Sequence, residues 1–573
     1  SARYLIPRAT RDMNQPIYTE KTECQDCYKC VRECPVKAIR VIDGSAQVMP
    51  EACILCGRCT EVCPVGAKKI RDDLGNAMLL LKQKSRVYVS LAPTFRTEFG
   101  GLDSTKLIAA IQSLGFAGVS ETALGAQEVS ASCARLLSEG QNPLLISSAC
   151  PSVIHLVEQY YPHLVTNITP VVSPVQAHSK MLKEAFGEDI GVVFIGPCVA
   201  KKNEAEDSFD VALTFTDLRR WFNISNIDWS SLKLDTAFSL RSAEEGGLYP
   251  IDGGMIKGIK FYNPPANTLF MSFSGVPEIV EAFDELDING FDRPVFIETL
   301  ACTGGCVNGP GVSKRGSTVQ KRYRIQSLTP SAPASRGHAE LPFSKDFHPR
   351  EIKKNSYSKA EIAAALLKIG KKKQEEELNC GGCGYDTCRE FAAALIEEKA
   401  EPAMCVSYLR KLAQNKATAL IKAMPSGVVI VDENLKIIES NRRFIEIIGG
   451  DASIVSEADP DLEGAYLERI IDFHELFAKA LKEGTEVQIQ DIRQNGKIMR
   501  LTLFSIQKNH VLGGILQDIT EPVIQQEQII EKANEVMRKN LSTVQQIAFL
   551  LGENAADSEV LLSSIVKSFG KKE

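Results

Sequence analysis

Cysteine spacing carries the clearest chemistry in this chain. Seventeen cysteines occur among the 573 residues, and twelve of them fall in tight arrays. Thiolates at short, fixed intervals are typical ligands of zinc ions and iron–sulfur clusters. The first two arrays read CQDCYKCVRECP and CILCGRCTEVCP, and both have the spacing C-x2-C-x2-C-x3-C-P. This tandem repeat predicts two [4Fe–4S] clusters.

The two arrays are expected to share their ligands. In such repeats the fourth cysteine of each array binds the cluster of the other array. The first predicted set is therefore Cys24, Cys27, Cys30 and Cys63, and the second is Cys34, Cys53, Cys56 and Cys59. Zinc is the alternative metal, but two arrays that each end in proline favour iron–sulfur clusters. The repeat resembles a bacterial two-cluster ferredoxin, which implies that this part of the chain transfers electrons.

Four further cysteines follow apolar runs that read as buried strands. The runs RVYVSLAP, LLISSACP, DIGVVFIGPC and PVFIETLAC are rich in β-branched residues and are separated by helical stretches, as in α/β domains. Because open parallel sheets bind ligands at the carboxyl ends of their strands, we expect these cysteines to converge at the edge of one sheet and to enclose one cluster. They are Cys150, Cys198, Cys302 and Cys306. Taken singly, each would be an inert buried thiol.

Two glycines and one last array complete the cysteine chemistry. The glycines of CTGGC are expected to let the backbone approach the cofactor closely. Further along, NCGGCGYDTCREFAAALIEEKAEPAMC has the spacing C-x2-C-x4-C-x16-C, which predicts a third [4Fe–4S] cluster. Its ligands would be Cys380, Cys383, Cys388 and Cys405. Zinc remains the alternative because a site of four thiolates suits either metal. A helix with a charged tail is predicted just before it, over SKAEIAAALLKIGKKKQEEEL.

The segment after residue 415 contains no cysteine and reads as a sensor. SGVVIVDENLKIIESNRRFIEIIG predicts a strand, a turn, a second strand and a helix, and KIMRLTLFSIQKNHVLGGILQDIT predicts further strands. The segment resembles a PAS domain. Apolar residues then recur every seven positions, which predicts a dimeric coiled coil; they are Val523, Ile530, Met537, Val544 and Leu551. An amphipathic helix packed on the chain's own PAS domain is the alternative.

Three loops of the α/β region resemble the signature loops of the iron-iron (FeFe) hydrogenases. SSACPSV, GPCVAKKNEAE and ETLACTGGCVNGPG follow, in order, the family patterns T-S-C-C-P, M-P-C-x-x-K-K-x-E and E-x-M-A-C-x-G-G-C. The added third cluster, PAS domain and helix are similar to the sensory hydrogenases of this family. The resemblance implies an H-cluster, a [4Fe–4S] cube plus a two-iron subsite that carries CO, cyanide and an azadithiolate bridge.

The resemblance also implies individual roles. The four converging cysteines would hold the cube, and Cys306 would bridge to the two-iron subsite. Lys201 would donate a hydrogen bond to a cyanide ligand. Ser147 and the backbone around Pro197 would contact the other diatomic ligands. Glu204 matches a glutamate of the family whose partners are expected to be missing here.

Departures from the family patterns predict slow catalysis. Ala149 stands where catalytic members have a second cysteine that passes protons, and alanine cannot carry a proton. Gly196 replaces a methionine that normally packs beside the subsite. In the helix GAQEVSASCARL, which usually carries proton-path glutamates, only Glu128 offers a carboxylate. Protons would then move slowly, or by another route that uses water, Glu128 or Cys133.

The predicted fold class is a multidomain α/β chain. Its predicted parts are a ferredoxin-like two-cluster domain (1–80), an α/β H-cluster domain (81–325), a linker (326–360), a small third-cluster domain (361–414), an α+β PAS domain (415–520) and a coiled-coil segment (521–573). The predicted function is a sensory FeFe hydrogenase that relays H2 or redox state to a partner. The alternatives are a catalytic, ferredoxin-coupled hydrogenase and a non-catalytic hydrogenase-like iron–sulfur protein.

Partners and location follow from composition and resemblance. The expected partners are H2, a redox partner such as ferredoxin, a signalling kinase or phosphatase, hydrogenase maturation proteins and a second copy of the chain. The net charge is −6, so no nucleic-acid partner is expected. No apolar run approaches the roughly 20 residues that cross a bilayer. The first residues, SARYLIPRATRDM, lack the pattern of a secretory signal, so we expect a cytoplasmic protein.

Overall fold

The chain forms two compact units. A computed structural model describes residues 15–519 except 141, 233–235, 314–315, 330–341, 354, 450–461, 485–486 and 495–496, together with seven positions between 532 and 540. The first unit comprises residues 1–361, 384–386 and 396–400, and the second comprises 362–383, 387–395 and 401–573. The predicted coiled coil lies almost wholly outside the described residues.

The N-terminal part of the first unit is a small domain with two short helices, each inside one cysteine array. Its elements are β1 (Ile17–Thr19), α1 (Lys29–Arg32), β2 (Ile39–Ile42), β3 (Ser45–Val48), α2 (Arg58–Val62) and β4 (Lys68–Ile70). Strand β1 pairs with β4, and β2 pairs with β3, in both cases antiparallel. The two arrays thus take the same local form, as their repeated sequence predicts.

An α/β domain follows in the same unit. Its strands are β5 (Val87–Leu91), β6 (Gly118–Glu121), β7 (Leu144–Ile146), β8 (Gly191–Gly196), β9 (Val211–Thr214), β10 (Leu269–Ser274) and β11 (Val295–Leu300). Its helices are α3 (Leu74–Gln83), α4 (Phe95–Glu98), α5 (Ser104–Ser113), α6 (Ala123–Glu139), α7 (Pro151–Tyr160), α8 (Pro174–Phe186), α9 (Lys201–Ser208), α10 (Phe215–Ile224), α11 (Gly254–Phe261), α12 (Val276–Phe283) and α13 (Thr318–Leu328). Helices alternate with strands, as the sequence predicts.

The strands of this domain form two parallel sheets rather than one. The first has the order β6-β5-β8-β9, and the second has the order β10-β11-β7. The expectation that the four cysteines follow strands of one sheet is therefore wrong, because β8 lies in the first sheet while β7 and β11 lie in the second. The apolar runs of both sheets look alike, since β5, β8 and β11 are buried at every residue. Such runs indicate strands covered on both faces but do not specify which strands pair.

A buried histidine ties helix α8 to the first sheet. The ring nitrogens of His178 lie 2.7 Å from Ser90 Oγ and 2.9 Å from Ser120 Oγ. Ser90 and Ser120 belong to the neighbouring strands β5 and β6. Both nitrogens are thus satisfied inside the core, which makes this polar group tolerable there.

The second unit begins with the remaining cysteines. Its first helices are α14 (Lys359–Lys368), which starts in the first unit, α15 (Cys388–Ile396) and α16 (Val406–Ala423). The charged tail predicted after α14 does not continue this helix, because residues 369–373 are not helical. Gly370 has a φ of +70°, and Lys371 N bonds back to Leu366 O at 3.0 Å. This left-handed glycine ends the helix.

The described residues from 427 to 519 form an antiparallel sheet with flanking helices. Its elements are β12 (Gly427–Asp432), β13 (Ile437–Ser440), α17 (Arg442–Ile448), α18 (His474–Glu483), β14 (Val487–Gln494), β15 (Lys497–Gln507) and β16 (Val511–Asp518). The strand order is β13-β12-β16-β15-β14. The predicted strand–turn–strand–helix pattern appears as β12, β13 and α17. Within the described residues, no helix has both the length and the apolar composition needed to cross a bilayer.

Asn441 links helix α16 to this sheet. Its Nδ2 donates to Ile421 O at 2.7 Å and to Ser426 O at 2.9 Å. Its Oδ1 accepts from Val428 N at 2.8 Å and from Phe444 N at 2.9 Å. The side chain is fully buried, and its amide makes four hydrogen bonds. The end of α16, the start of β12 and the start of α17 are therefore held by one side chain.

Candidate active site

The four cysteines of the α/β domain lie together at strand ends contributed by both sheets. Electrostatic interactions connect Cys302 to Cys306, Cys198 and Cys150, and connect Cys306 to Cys150 and Cys198. With Pro197 and other residues they line one small cavity. The convergence predicted from the sequence therefore occurs, although the strands belong to two sheets.

Local sequence explains how two of these loops are shaped. Cys150 is the N-cap of α7, and Pro151 occupies the first helical position, where its missing N–H costs nothing. In CTGGC, Gly305 has a φ of +97°, and a Cβ there would lie 2.3 Å from Pro250 O. Glycine is thus required at position 305 for close approach to the protein's own backbone, and its approach to a cofactor stays a prediction.

These partly buried thiols form a donor set suited to bound iron. Burial raises the pKa of Cys198 to about 11, and it raises the pKa values of Cys302 and Cys306 further. Four thiolates cannot stay ionised together in such a place unless cations compensate them, and metal binding supplies that compensation while displacing the protons. Among the described residues, no three His, Cys, Asp or Glu side chains are grouped tightly enough to hold a single metal ion.

Lys201 supplies positive charge to this site. Its side chain is buried, and it partly opposes the effect of burial on the pKa values of Cys198 and Cys306. Its Nζ lies 2.6 Å from Glu204 Oε2, which also accepts a hydrogen bond from Ser173 Oγ at 3.0 Å. Glu204 therefore has two partners, contrary to the expectation from the sequence. Lys201 is not an ordinary surface lysine.

The second lysine of the KK pair is buried as well. Lys202 Nζ lies 3.0 Å from Asp73 Oδ2 and 3.2 Å from Asp217 Oδ2, and it donates to Ala212 O at 3.1 Å. Asp73 is the N-cap residue of α3, directly after the N-terminal domain. Lys202 therefore fixes the start of α9, which carries Lys201, to the junction between the two domains.

The cysteines of the N-terminal domain form two groups in space. Cys30 interacts with Cys24, Cys27 and Cys63. Cys59 interacts with Cys34, Cys53 and Cys56. These are the two crossed sets that the sequence predicts as cluster ligands. Burial raises the pKa of Cys30 to about 11 and that of Cys53 to about 12, so these thiols also require compensating cations to ionise.

The second group lies directly beside the candidate active site. Cys56 interacts with Cys302, and both line the same cavity. Gly57 follows Cys56 with a φ of +78°, and a Cβ there would lie 2.5 Å from Pro310 Cγ. Glycine is needed at this position for both reasons. The loop can therefore bring its cysteines next to those of the α/β domain.

Family comparisons agree with this arrangement. Residues 16–73 match the 4Fe-4S dicluster domain, and residues 85–310 match the iron only hydrogenase large subunit, C-terminal domain. The chain carries an FeFe-hydrogenase large-subunit domain. Residues 376–407 match an Fe-S cluster family, and residues 415–486 match the PAS domain. The FeFe-hydrogenase resemblance of the three loops is confirmed, and so is the predicted multidomain α/β fold class.

Two known relatives are hydrogenases. The periplasmic [Fe] hydrogenase large subunit of Nitratidesulfovibrio vulgaris is 27% identical over 374 residues, which are 53% of this chain and 88% of that protein. Iron hydrogenase 1 of Clostridium pasteurianum is 25% identical over 289 residues, which are 40% of this chain and 50% of that protein. A solved variant of [FeFe]-hydrogenase HydA1 from Chlamydomonas reinhardtii is 17% identical with a TM-score of 0.40, and the match covers 49% of this chain and all of that chain (100%).

Three further residues that the sequence places at the site, Pro197, Ser147 and Gly196, have different neighbours in the structure. Pro197 lines the cavity, and its carbonyl accepts from Gly311 N at 2.8 Å. Ser147 Oγ instead accepts from Thr299 N at 3.1 Å, which ties the end of β7 to β11. At Gly196 a Cβ would lie 2.4 Å from Phe194 Cζ. A methionine side chain could not start from this backbone without displacing that ring.

Ala149, the predicted position of the lost proton relay, lies against an apolar core. Ala149 is partly buried and packs on a core that includes Cys133 and Tyr249. Cys133 is fully buried, and burial raises its pKa to about 12, although a hydrogen bond with the Thr169 side chain opposes this effect. Glu128 is also buried, with Arg241 3.9 Å from its carboxylate. Of the two groups suggested for an alternative proton route, Cys133 is therefore the one that packs in the same hydrophobic core as Ala149.

Sequence reasoning missed two polar residues of this region. Glu298 is buried below the CTGGC loop of the hydrogenase domain, and burial raises its pKa to about 8 although it accepts hydrogen bonds from Ile256 N and Met255 N. Tyr249 interacts electrostatically with Cys133 and Glu298, and its hydroxyl lies 2.8 Å from Ser130 Oγ. The glutamate opens the ETLACTGGC motif, so that motif was the available signal. Nothing in the sequence around Tyr249 distinguishes it.

The third cysteine array, in the second unit, is gathered by short-range contacts. Asn379 Oδ1 accepts from Cys388 N at 2.8 Å, which brings the first loop of the array to α15. A Cβ at Gly382 would lie 3.2 Å from Val406 Cγ2 and 3.7 Å from Cys380 Sγ, so this loop also lies against the start of α16. Cys405 is the N-cap of α16. These contacts thus bring together three of the four predicted ligands, Cys380, Cys388 and Cys405.

Proposed function

We propose that this chain is a sensory FeFe hydrogenase, which binds H2, interconverts it slowly with protons and electrons, and relays H2 or redox state through its PAS domain. The observation that carries the proposal is a cysteine cavity that retains Lys201 but has Ala149 at the proton-relay position. Four cysteines and a buried cation favour cofactor binding. An apolar residue where protons must pass favours reporting over rapid turnover.

The chain's own residues would have distinct roles at the loaded site. Cys150, Cys198, Cys302 and Cys306 would hold the H-cluster, with Cys306 also reaching its two-iron subsite. When bound, that cofactor would supply the splitting of H2 and the storage of electrons. Lys201 would donate from its ammonium to an anionic cyanide ligand, while Glu204, itself bound by Ser173, holds the lysine in place. Pro197 would exclude water from one wall of the cavity.

Electrons would leave through the neighbouring cysteine groups. The electrostatic interaction between Cys56 and Cys302, which line the same cavity, supports transfer from the H-cluster to the second ferredoxin-like cluster. The crossed array pattern supports the first ferredoxin-like cluster as the next in line, because Cys34 and Cys63 would each bind the cluster of the other array. A ferredoxin-like protein is the proposed external redox partner. We retain the proposal of three [4Fe–4S] clusters in addition to the H-cluster.

Protons would take a slower route. Removal of one positioned acid–base group costs about 10²–10⁴-fold in rate, which a sensor tolerates better than a metabolic enzyme. The sequence suggests Glu128 and Cys133 as alternative proton carriers. Cys133 is the better supported of the two, because it packs in the same hydrophobic core as Ala149. The Glu128 carboxylate lies 3.9 Å from Arg241 instead.

Helix α16 supports the sensory part of the proposal. It starts at Cys405, a predicted ligand of the third cluster, and its 18 residues end where Asn441 binds Ile421 O. A continuous helix of this length spans about 27 Å at 1.5 Å per residue. A change at the cluster therefore has a direct mechanical connection to the first strand of the PAS sheet. A kinase or phosphatase and a second copy of the chain are the proposed partners, and a cytoplasmic location remains the expectation.

Hydrogen–deuterium exchange on the full-length protein tests this proposal. The protein is matured with its cofactors and compared under H2 and under argon, and a preparation that lacks only the two-iron subsite serves as the control. We expect H2 to change exchange at the end of α16 and in β12 of the matured protein alone. Rapid H2 turnover with unchanged exchange would instead support the catalytic, ferredoxin-coupled alternative.

A further inference from the structure

The third cysteine array has a buried lysine behind it. Lys371 is 6% exposed, and it lies just after the glycine that ends α14. Its Nζ donates to Glu376 O at 2.5 Å and to Ser407 Oγ at 3.4 Å. Among the described residues, no carboxylate pairs with it. A buried ammonium without an anionic partner is costly, so this position calls for nearby negative charge.

Ser407 connects this cation to a predicted cluster ligand. Ser407 Oγ lies 3.3 Å from Cys405 Sγ. When Cys405 binds iron as a thiolate, its sulfur can only accept, so the serine hydroxyl donates to the sulfur and accepts from Lys371. The hydrogen bonds then run in one direction, from Lys371 through Ser407 to Cys405. Of the four cysteines in the array, only Cys405 is buried.

The position of Cys405 adds to the effect of this chain. As the N-cap of α16, it places the cluster at the positive end of a long helix dipole. Net charge and hydrogen bonds to the sulfurs set the reduction potentials of iron–sulfur clusters. An added electron makes the cluster more negative, so a nearby buried cation stabilises the reduced form more than the oxidised form.

We propose that Lys371 is a positioning residue that acts through Ser407 on Cys405 and raises the reduction potential of the third cluster. The proposal rests on the third [4Fe–4S] cluster of the proposed function and names the groups that tune it. One electron is exchanged with the other clusters, and no bond is formed or broken. Reduction of this cluster would then be the event that changes charge at the start of α16.

An electron paramagnetic resonance titration of the full-length, cluster-loaded protein tests the proposal. The variant Cys405→Ala identifies the signal of the third cluster by its loss. We expect Lys371→Met to lower the reduced-to-oxidised ratio of that cluster at fixed potential by about tenfold, which is about 59 mV for one electron. Lys371→Arg keeps the charge and should restore most of the ratio. The exposed neighbour Lys372→Met is the matched control and should change it little.

Several outcomes would overturn the proposal. One is an unchanged midpoint in Lys371→Met with full iron content, and another is an equal shift in Lys372→Met, which would indicate a general charge effect. If Lys371→Met fails to retain iron, Ser407→Ala decides, because it leaves the lysine in place; an unchanged midpoint there also overturns the proposal. Wild-type protein that binds zinc instead of iron at this array would contradict the third cluster itself, which is a separate failure.

Discussion

Lys201 and Glu204 form a nearly buried ion pair, with 2.6 Å between Nζ and Oε2 and side-chain exposures of 8% and 11%. Ser173 Oγ donates to the same carboxylate oxygen. The pair explains how a lysine can remain beside four cysteines inside the domain. Glu204 neutralises the ammonium, and the same ammonium interacts electrostatically with Cys198 and Cys306.

Removal of this lysine should destabilise the α/β domain. We expect Lys201→Met to lower its free energy of unfolding by about 3 kcal/mol, because Glu204 would stay buried without a cation. Urea unfolding followed by tryptophan fluorescence measures this domain, since the two tryptophans, Trp221 and Trp229, both lie within it. Lys82→Met, at an exposed position of α3, is the control. A loss below about 0.5 kcal/mol, typical of surface changes, would contradict the ion-pair account.

Acid should destabilise the same domain through His178. Burial lowers the pKa of His178 from 6.5 to about 3, so the unfolded chain binds a proton that the folded chain does not bind between these values. Stability is therefore lost as pH falls through 6.5, by roughly 3 kcal/mol between pH 7 and pH 4. The variant His178→Gln should lack this part of the pH dependence. If the free energies of unfolding of the two proteins, measured in urea, changed with pH in the same way, the assignment to His178 would be wrong.

Loss of the Asn441 side chain should loosen the connection between α16 and the PAS sheet. Asn441→Ala removes four hydrogen bonds and leaves buried groups unpaired, at a cost of roughly 2–4 kcal/mol. Hydrogen exchange should rise in peptides that cover the end of α16 and the start of β12. Asn434→Ala, in the exposed turn after β12, is the control and should leave these peptides unchanged. Equal exchange in both variants would argue against Asn441 as the link.

Restoring a thiol at position 149 should accelerate catalysis. We expect Ala149→Cys to raise the H2 production rate of the matured protein by roughly 10²-fold or more, because a positioned proton donor returns to the relay site. Ala149→Ser supplies a similar volume with a far weaker acid and is the control. Hydrogen evolution with a chemical reductant measures the rate. No gain in Ala149→Cys, together with a fast wild type, would favour the catalytic alternative.

Local chemistry was predictable from the sequence because cluster ligands follow fixed spacings and strand ends. The crossed cysteine sets, the convergence of Cys150 and Cys198, and the first PAS strands all have local signals. The division into two sheets has none, because long-range strand pairing leaves no trace in the periodicity of a buried run. Glu204 was misjudged and Lys371 was missed partly for the same reason, because each has one partner far along the chain: Ser173 lies 31 residues from Glu204, and Ser407 lies 36 residues from Lys371.

Infrared spectroscopy of the matured full-length protein tests the central claim most directly. The account predicts sharp absorption bands from CO and cyanide ligands that change when argon is replaced by H2, and that are absent from protein made without maturation enzymes. Lys201→Met should shift the cyanide bands. Protein with its [4Fe–4S] clusters fully loaded but no such bands after maturation would contradict the account and leave a non-catalytic iron–sulfur protein.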